Sequence, residues 1–336
     1  MPAPPSLDIS PPLINSANPW ATSLEDLKAL YECPSTGAVT TRTTLLDGFP
    51  HDPAKHQYVL FDIATHTAEP GTENASLNNL GYSPHPLDTY LGFIKTISQT
   101  SPSTNPKKGF IVSVTGSPDD IVGCYRRIAA TQSELPFPLA MEINLSCPNI
   151  PGHPPPAYDG PALLQYLAAL QDAVASDSAA PRIPFGIKTP PYTHSTEFAV
   201  LGTALAACAV RDRDGVCPVS FITATNTLGS CLVLKPAGAE GDAMGAALPG
   251  LGTGGLAGAP LHPLALGNVL TIRKMLDVDA KALGHVQVIG IGGVSDAGGY
   301  ERMKSVGAAV VGVGTGLGTK GLGVFAGIEK GLEGKW

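Results

Sequence analysis

The sequence predicts an α/β protein with the architecture of a (β/α)₈ barrel, in one domain over residues 1–336. The main observation is an alternation, repeated eight times, of short segments rich in Val and Ile with amphipathic segments of helical period. This order of elements is typical of a parallel sheet that is covered by helices. Most of the short segments are apolar at successive positions, as expected for strands that are buried on both faces.

The composition supports a folded chain with many tight turns. Glycine and proline account for 39 and 32 of the 336 residues, whereas average usage would give about 12% for the two together. Disorder is excluded because 43% of the residues are hydrophobic and only 15% are charged, the opposite of the balance that keeps a chain unfolded. The length also fits a single barrel of this class.

The eight barrel strands are expected in the short apolar segments, each of which is followed by a helix. They cover residues 13–16, 38–42, 109–114, 140–145, 184–188, 220–225, 286–291 and 309–313. Two helices begin with clear signals, since Ser23 precedes two carboxylates and Ser117 precedes Pro118 at the first helical position. Other helices are expected at about residues 87–98, 161–174, 197–210, 264–276, 297–305 and 323–331.

Two insertions interrupt the alternation, at residues 45–84 and 232–262. The first contains the strand-like segment QYVLFDI, and the second is rich in glycine. Excursions of this kind are expected at the C-terminal face of a barrel, where active sites are built. We therefore expect both insertions to lie over the active-site face.

Charge and cysteine content exclude several classes of function. The net charge is −7 and no segment concentrates Lys or Arg, so a nucleic-acid partner is not expected. The six cysteines are widely spaced, with no metal-ligand pattern, which predicts reduced thiols and no metal site. No signal peptide and no apolar run of about 18 residues is recognisable. The expectation is a cytoplasmic enzyme without a membrane partner.

The last two barrel strands both end in glycine-rich turns. Gly292 and Gly293 follow the seventh strand, and Gly314 and Thr315 follow the eighth. In barrels these two loops often bind a phosphate group through backbone N–H groups. The alternative is that the glycines only allow tight turns; two such turns at adjacent strand ends favour the phosphate site.

Polar side chains occupy the ends of the fourth, fifth and sixth strands. Asn144 and Asn149 carry amides that suit a planar ring with alternating C=O and N–H groups. Cys147, between them, is a candidate proton acceptor as a thiolate, although a cysteine is more often a small buried apolar residue. Lys188 ends the fifth strand with a charge that needs an anionic partner, and Asn226 follows the sixth.

Seven segments of the chain resemble, in the same order, the corresponding segments of class 1A dihydroorotate dehydrogenases: NLSCPN, GIKTPPY, NTLG, GTGGLAG, PLALGNV, IGIGGV and GVGTGLG. The resemblance extends from about Leu13 to the last helix. It implies a soluble, homodimeric, FMN-dependent barrel that oxidises dihydroorotate to orotate and reduces a soluble acceptor such as fumarate. NLSCPN is the most specific segment, because class 2 enzymes resemble this layout but carry serine in place of the cysteine.

The resemblance also implies a role for individual residues. Cys147 matches the catalytic base that removes a proton from ring C5 while a hydride passes from C6 to flavin N5, and Lys188 matches the cation that stabilises the reduced flavin. The implied substrate-binding residues are Asn144, Asn149, Asn226, Thr227, Asn74 and Arg42. The implied cofactor-binding residues are Ala17, Arg42, Thr43, Asn144, Lys188, Thr225, Gly258, Gly292, Gly293, Gly314 and Thr315.

Two departures from the family pattern bear on the substrate. Arg42 stands where the family has lysine beside the flavin, and a planar guanidinium is not a geometric copy of an ammonium group. In the loop that usually reads Asn-Ser-x-Gly-Leu-Pro-Asn, an ungapped alignment puts Glu73 in place of the first asparagine and Ser76 in place of the glycine, whereas a one-residue slip restores Asn74. The alternatives are therefore a diverged FMN-dependent ene-reductase or dehydrogenase with another cyclic or unsaturated substrate, or a non-catalytic flavin-binding paralogue.

Overall fold

The structure is a computed structural model that describes residues 4–67, 71–101, 105, 107–146, 155–177, 181–212, 214–235 and 245–336. In chain order its strands are β1 Leu13–Asn15, β2 Ala38–Thr40, β3 Tyr58–Phe61, β4 Ala75–Asn78, β5 Gly109–Val114, β6 Leu139–Asn144, β7 Phe185–Lys188, β8 Phe221–Ala224, β9 Leu228–Leu232, β10 Thr253–Gly258, β11 Gln287–Ile291 and β12 Val310–Val313.

Eight of these strands close into a parallel barrel in the order β1, β12, β11, β8, β7, β6, β5 and β2. All eight are strands that the sequence predicts, with ends that agree or differ by one or two residues. The (β/α)₈ barrel, or TIM barrel, is therefore confirmed. Four strands, β1, β2, β6 and β8, end earlier than predicted, because their last predicted residues leave the ladder and enter the loops above the barrel.

The helices are α1 Leu24–Glu32, α2 Leu87–Thr100, α3 Pro118–Gln132, α4 Gly160–Ser176, α5 Ser195–Arg211, α6 His262–Val278, α7 Ala280–Leu283, α8 Ala297–Ser305, α9 Thr315–Lys320 and α10 Gly323–Gly331. The predicted start signals of α1 and α3 are confirmed, since Ser23 and Ser117 each form a reciprocal capping box with the third helical residue. Among the described helices, none is both long and apolar enough to cross a bilayer.

The interior of the barrel changes from apolar to polar along its axis. Near the N-terminal ends of the strands the inward residues form an apolar cluster that includes Ala38, Ile111, Ala140, Phe221, Ile289 and Val310. Gly186 leaves room for one of them, because a Cβ atom there would lie 2.4 Å from the Phe221 ring. Since side chains alternate across a strand, Glu142 and Asn144 follow Ala140 on the inner face of β6. The polar C-terminal end is thus the end that can hold a polar ligand.

The remaining four strands form a small antiparallel sheet in the order β3, β4, β10 and β9. Strands β3 and β4 come from the first insertion, and β10 comes from the second. Strand β9 begins at Leu228, just before the second insertion. Leu77 of β4 packs with Phe61 and Val233 on the face away from the barrel. The two insertions therefore build one sheet together. The assignment of the whole chain to one domain stays a prediction.

Candidate active site

A cleft of about 990 Å³, which includes space open to solvent, lies between the C-terminal ends of the barrel strands and the small sheet. This volume is typical of a pocket for a cofactor or a small molecule. It is lined by most of the residues that the sequence singles out: Ala17, Arg42, Thr43, Asn144, Lys188, Thr225, Asn226, Thr227, Gly258, Gly292, Gly293, Gly314 and Thr315. Residues from eight separate strand ends or loops thus meet in one place, although their roles stay predictions.

Two of the predicted site residues, Cys147 and Asn149, lie outside the described residues. The residue before Cys147 is Ser146, which is buried and hydrogen-bonded to two residues that line the cleft. Its hydroxyl donates to Asn144 Oδ1 at 2.9 Å, and the Asn226 amide donates to its Oγ at 3.0 Å. Ser146 therefore lies against the two amides at the floor of the cleft.

Lys188 is a buried cation without a partner among the described residues. Its residue is only 4% exposed, at the last position of β7. Within the described part of the chain its ammonium group makes no hydrogen bond and no ion pair. Buried charges are normally paired, because removing a charge from water is costly. The lysine therefore indicates that an anionic or electron-rich ligand group belongs in the cleft.

A directed chain of hydrogen bonds fixes the Asn144 amide. Asn144 Nδ2 donates to Thr43 Oγ1 at 3.0 Å, and the Thr43 and Ser113 hydroxyls are 2.9 Å apart. Ser113 Oγ donates to Glu142 Oε1 at 2.9 Å, so the shared proton of the hydroxyl pair belongs to Thr43. Asn226 Nδ2 in turn donates to Asn144 Oδ1 at 3.2 Å. The two amides are thereby held in one orientation before any ligand binds.

The Arg42 side chain forms hydrogen bonds with the backbone that makes up a wall of the cleft rather than with a carboxylate. Its Nη2 donates to the carbonyl oxygens of Gly81 and Tyr82, at 3.3 and 3.2 Å. Burial lowers the pKa of the Arg42 guanidinium, with an opposing contribution from Tyr90. Its other N–H groups remain for a ligand, because Arg42 also lines the cleft.

The structure does not bring Glu73 or Asn74 into the cleft. Glu73 accepts a hydrogen bond from the backbone N–H of Gly71 at 2.8 Å. The Asn74 amide donates to Asp62 Oδ2 at 2.9 Å and accepts from the backbone N–H of Ile63 at 3.0 Å. Neither Glu73 nor Asn74 therefore lines this wall of the cleft, and the role of Asn74 in binding substrate stays a prediction.

The same strand presents Ser76 and Asn78 to the cleft instead. Residues two apart on a strand share a face, and the alternate residues Ala75 and Leu77 are buried in the sheet core. Register thus explains the difference: β4 pairs with β10 so that Ser76 lies opposite Ala257, another cleft residue. The period of two in this segment was the signal that could have identified both residues.

The glycine-rich turns need glycine for their shape. Gly258 has φ of 88°, and a Cβ atom there would lie 2.4 Å from the Asn74 carbonyl oxygen. Gly293 has φ of 70°, and its Cβ would lie 2.7 Å from the Gly258 oxygen. Backbone N–H groups of Gly293 and Gly314 donate to no other described residue. They are available to an anion in the cleft.

One buried hydroxyl in the cleft also lacks a partner. Thr225 Oγ1, at the end of the sixth barrel strand, bonds to no described group although the residue is only 2% exposed. Buried polar atoms are rarely left unpaired. Together with the free N–H groups and the Lys188 ammonium, this hydroxyl indicates a ligand with several acceptor atoms.

Aromatic residues at the mouth of the cleft were missed by the sequence reasoning. Trp20 and Tyr58 meet edge to face, with ring centroids 5.3 Å apart and an interplanar angle of 81°. Tyr82 lines the same mouth. Gly318 makes room for the indole, because a Cβ atom there would lie 2.1 Å from it. No local pattern joins Trp20 to Tyr58, since one follows β1 and the other begins β3.

Known proteins resemble the chain over almost its whole length. A family model described as dihydroorotate dehydrogenase matches residues 67–335. A Trypanosoma cruzi protein named dihydroorotate dehydrogenase (fumarate) is 29% identical over 321 residues, which cover 95% of this chain and 87% of that protein. A Lactococcus lactis subsp. cremoris protein named dihydroorotate dehydrogenase A (fumarate) is 26% identical over 323 residues, covering 96% and 89%.

The fold also matches a solved structure. The crystal structure of DHODH from Eimeria tenella in complex with ferulenol superposes with a TM-score of 0.69 over 96% of this chain and 80% of that chain. The sequences are 18% identical, so this likeness shows the fold alone.

Proposed function

Because the chain belongs to the dihydroorotate dehydrogenase family, we propose that it oxidises dihydroorotate to orotate and delivers the electrons to fumarate. The observation that carries the proposal is the buried Lys188, which has no partner among the described residues, in a cleft whose floor is formed by the fixed amides of Asn144 and Asn226. Curated relatives named for the fumarate-dependent reaction support the choice of acceptor.

FMN is the cofactor that fits the cleft. The N–H groups of Gly293 and Gly314 and the Thr315 hydroxyl suit a phosphate group, and Lys188 suits the electron-rich edge of an isoalloxazine ring. Ala17, Thr43, Asn144, Thr225 and Gly258 would line the remaining surface of the cofactor. When bound, FMN supplies the hydride acceptor of the reaction. The unpaired Thr225 hydroxyl gives the cofactor a further donor.

The protein side of the reaction follows from the amides and the cysteine. Asn144 and Asn226, with the Thr227 hydroxyl, present donors and acceptors to the C=O and N–H groups of the pyrimidine ring. In the proposed reaction the Cys147 thiolate accepts the proton from C5, the hydride leaves C6, and the C5=C6 double bond forms. Asn149 is proposed to bind the same ring. Arg42 offers its remaining N–H groups to the substrate carboxylate.

Anaerobic flavin reduction tests this proposal. The purified protein is expected to be yellow, or to become so with FMN, and to bleach when dihydroorotate is added without oxygen. Replacing Cys147 by serine should slow bleaching strongly at neutral pH, since a serine hydroxyl is a far weaker proton acceptor. Cys231→Ser is the matched control, because Cys231 lies on β9 and does not line the cleft.

The outcomes separate the possible functions. A colourless protein that cannot be reconstituted with FMN contradicts the flavin assignment. Bleaching by other CH–CH donors but not by dihydroorotate would instead favour a diverged dehydrogenase or ene-reductase. A homodimer and a cytoplasmic location, both implied by the family resemblance, stay predictions.

A further inference from the structure

A buried histidine stands directly behind the Gly292–Gly293 turn, outside the cleft. His262 is the first residue of α6 and is 9% exposed. Its Nδ1 lies 2.6 Å from the carbonyl oxygen of Gly292. Gly292 itself lines the cleft, whereas His262 does not. The histidine therefore touches the back of a turn whose front faces the ligand space.

Arg302 fixes the protonation pattern of this histidine. Arg302 Nε lies 3.0 Å from His262 Nε2. A guanidinium group only donates hydrogen bonds, so Nε2 must be the accepting nitrogen and the ring proton must sit on Nδ1. Nδ1–H then donates to the Gly292 carbonyl. The two contacts together hold a neutral imidazole in one tautomer and one orientation.

The geometry of a peptide bond carries this contact to the cleft. The Gly292–Gly293 bond is trans, so the carbonyl of Gly292 and the N–H of Gly293 point in opposite directions. His262 donates a hydrogen bond to the Gly292 carbonyl, and the N–H of Gly293 donates to no described residue. Fixing the carbonyl at the back therefore fixes the direction of the free N–H at the front.

Without His262 the turn would have little else to fix this peptide plane. Both glycines have positive φ values, 138° for Gly292 and 70° for Gly293, and glycine rotates freely between such conformations. The close packing seen here is at the Cα atoms: a Cβ at Gly293 would lie 2.7 Å from His262 Cβ, and one at Gly292 would lie 2.5 Å from Ala265 Cβ. The hydrogen bond is thus the directional restraint.

We propose that His262, held by Arg302, is a positioning residue that orients the Gly293 N–H toward the phosphate group of the bound cofactor. The inference rests on the proposed function, since it takes FMN as the occupant of the cleft. A donated hydrogen bond on the carbonyl also polarises the peptide, which makes its N–H a better donor to an anion. His262 contacts neither cofactor nor substrate and is not a catalytic residue.

Flavin binding to the apo-protein tests the inference, with riboflavin as the probe that lacks the phosphate group. Wild-type protein should bind FMN more tightly than riboflavin. His262→Leu should raise the Kd for FMN by about tenfold, because a preorganised donor is lost, and should leave the Kd for riboflavin almost unchanged. His262→Asn keeps a donor near the position of Nδ1 and should restore part of the preference for FMN.

Two further variants control for folding. His285 makes a similar contact, with its Nε2 3.1 Å from the Val219 carbonyl, but at the opposite end of the barrel. His285→Leu should keep the full preference for FMN. If His262→Leu does not fold, Arg302→Met serves instead, since Arg302 is exposed on α8; it should weaken FMN binding by roughly threefold because His262 loses only its second contact.

The inference and the proposed function fail in different ways. Wild-type protein that binds neither flavin contradicts the proposed function. Wild-type protein that prefers FMN, together with a His262→Leu or Arg302→Met variant that keeps the same ratio of FMN to riboflavin affinity, overturns the inference alone. A lower melting temperature in these variants with an unchanged ratio would show that His262 only supports the fold.

Discussion

The hydroxyl of Ser76 lies 2.8 Å from the hydroxyl of Thr315. Ser76 belongs to β4 of the small sheet, and Thr315 begins the turn of helix after β12, so this contact ties the inserted sheet to the loop proposed to bind phosphate. Both residues are buried and line the cleft.

Replacing Ser76 by glycine should loosen the phosphate loop. Thr315 would lose its hydroxyl partner, and one neutral hydrogen bond contributes about 0.5–1.5 kcal/mol. The Kd for FMN is therefore expected to rise by about two- to tenfold, as measured by fluorescence titration of the apo-protein. Ser76→Ala removes the same hydroxyl and has a matched control in Ser98→Ala. Ser98 Oγ donates to the Lys95 carbonyl within its own helix, so Ser98→Ala should leave the FMN affinity unchanged. Equal FMN affinity in Ser76→Ala and wild type would show that the contact does not support the loop.

Lys188→Met should have opposite effects on stability and on flavin chemistry. Removing a buried charge that lacks a described partner relieves a desolvation cost, so the apo-protein should gain about 1–3 kcal/mol in free energy of unfolding. The same variant should bind FMN less tightly and undergo flavin reduction by dihydroorotate at least about a hundredfold more slowly, because the cation that stabilises developing negative charge is gone.

Urea unfolding of the apo-protein and stopped-flow reduction of the reconstituted protein measure the two effects. Loss of apo-protein stability in Lys188→Met would show that this cation is paired in the folded chain. Lys95→Met is a surface control, since Lys95 forms an exposed ion pair with Glu134 and should change neither quantity appreciably.

Lys108 predicts a pH dependence that involves the barrel rather than the cleft. Its ammonium group donates to the carbonyls of Leu30 and Cys33 and to the Thr36 hydroxyl. Burial lowers the pKa of Lys108 from 10.5 to about 8. The unfolded chain therefore binds more protons than the folded chain between these two pH values, so this group's contribution to stability rises as the pH increases through that window.

The test compares wild type with Lys108→Met at pH 7.5 and pH 10. The free energy of unfolding of the wild type should improve relative to the variant by on the order of 2–3 kcal/mol over this interval. The difference between the proteins is needed because buried thiols such as Cys208, whose pKa is raised to about 12, act in the opposite direction. Lys107→Met should retain the effect, since Lys107 is exposed and paired with Asp8. A relative stability that does not change with pH would contradict the lowered pKa.

The sequence was sufficient for the barrel because each strand is coded locally. Segments such as the one forming β5 are apolar at successive positions, and burial on both faces requires this pattern wherever a parallel strand occurs. Lys188 and Asn144 could likewise be placed in a site, since the C-terminal ends of all barrel strands meet at one face.

The parts that the sequence did not predict depend on distant pairings. Ser76 and Asn78 face the cleft only because β4 takes one register against β10, some 180 residues later in the chain. A slip by one residue would turn Ala75 and Leu77 inward instead. The contact of His262 with Arg302 similarly depends on how α6 and α8 are rotated against each other, which no local pattern specifies.

Trp20 provides an intrinsic probe of the cleft. Only two tryptophans are present, Trp20 and Trp336. Trp20 lines the cleft beside Tyr58, whereas Trp336 packs against Tyr300 near the end of the chain. A flavin bound in the cleft would therefore lie close to one indole, and FMN should quench tryptophan fluorescence mainly through Trp20.

Titration of apo-protein should show that Trp20→Phe removes the larger part of the quenching, while Trp336→Phe keeps it. The Phe side chain preserves an edge-to-face contact with Tyr58, so the FMN affinity itself should change less than about threefold. Quenching that survives in Trp20→Phe and disappears in Trp336→Phe would place the flavin elsewhere on the molecule.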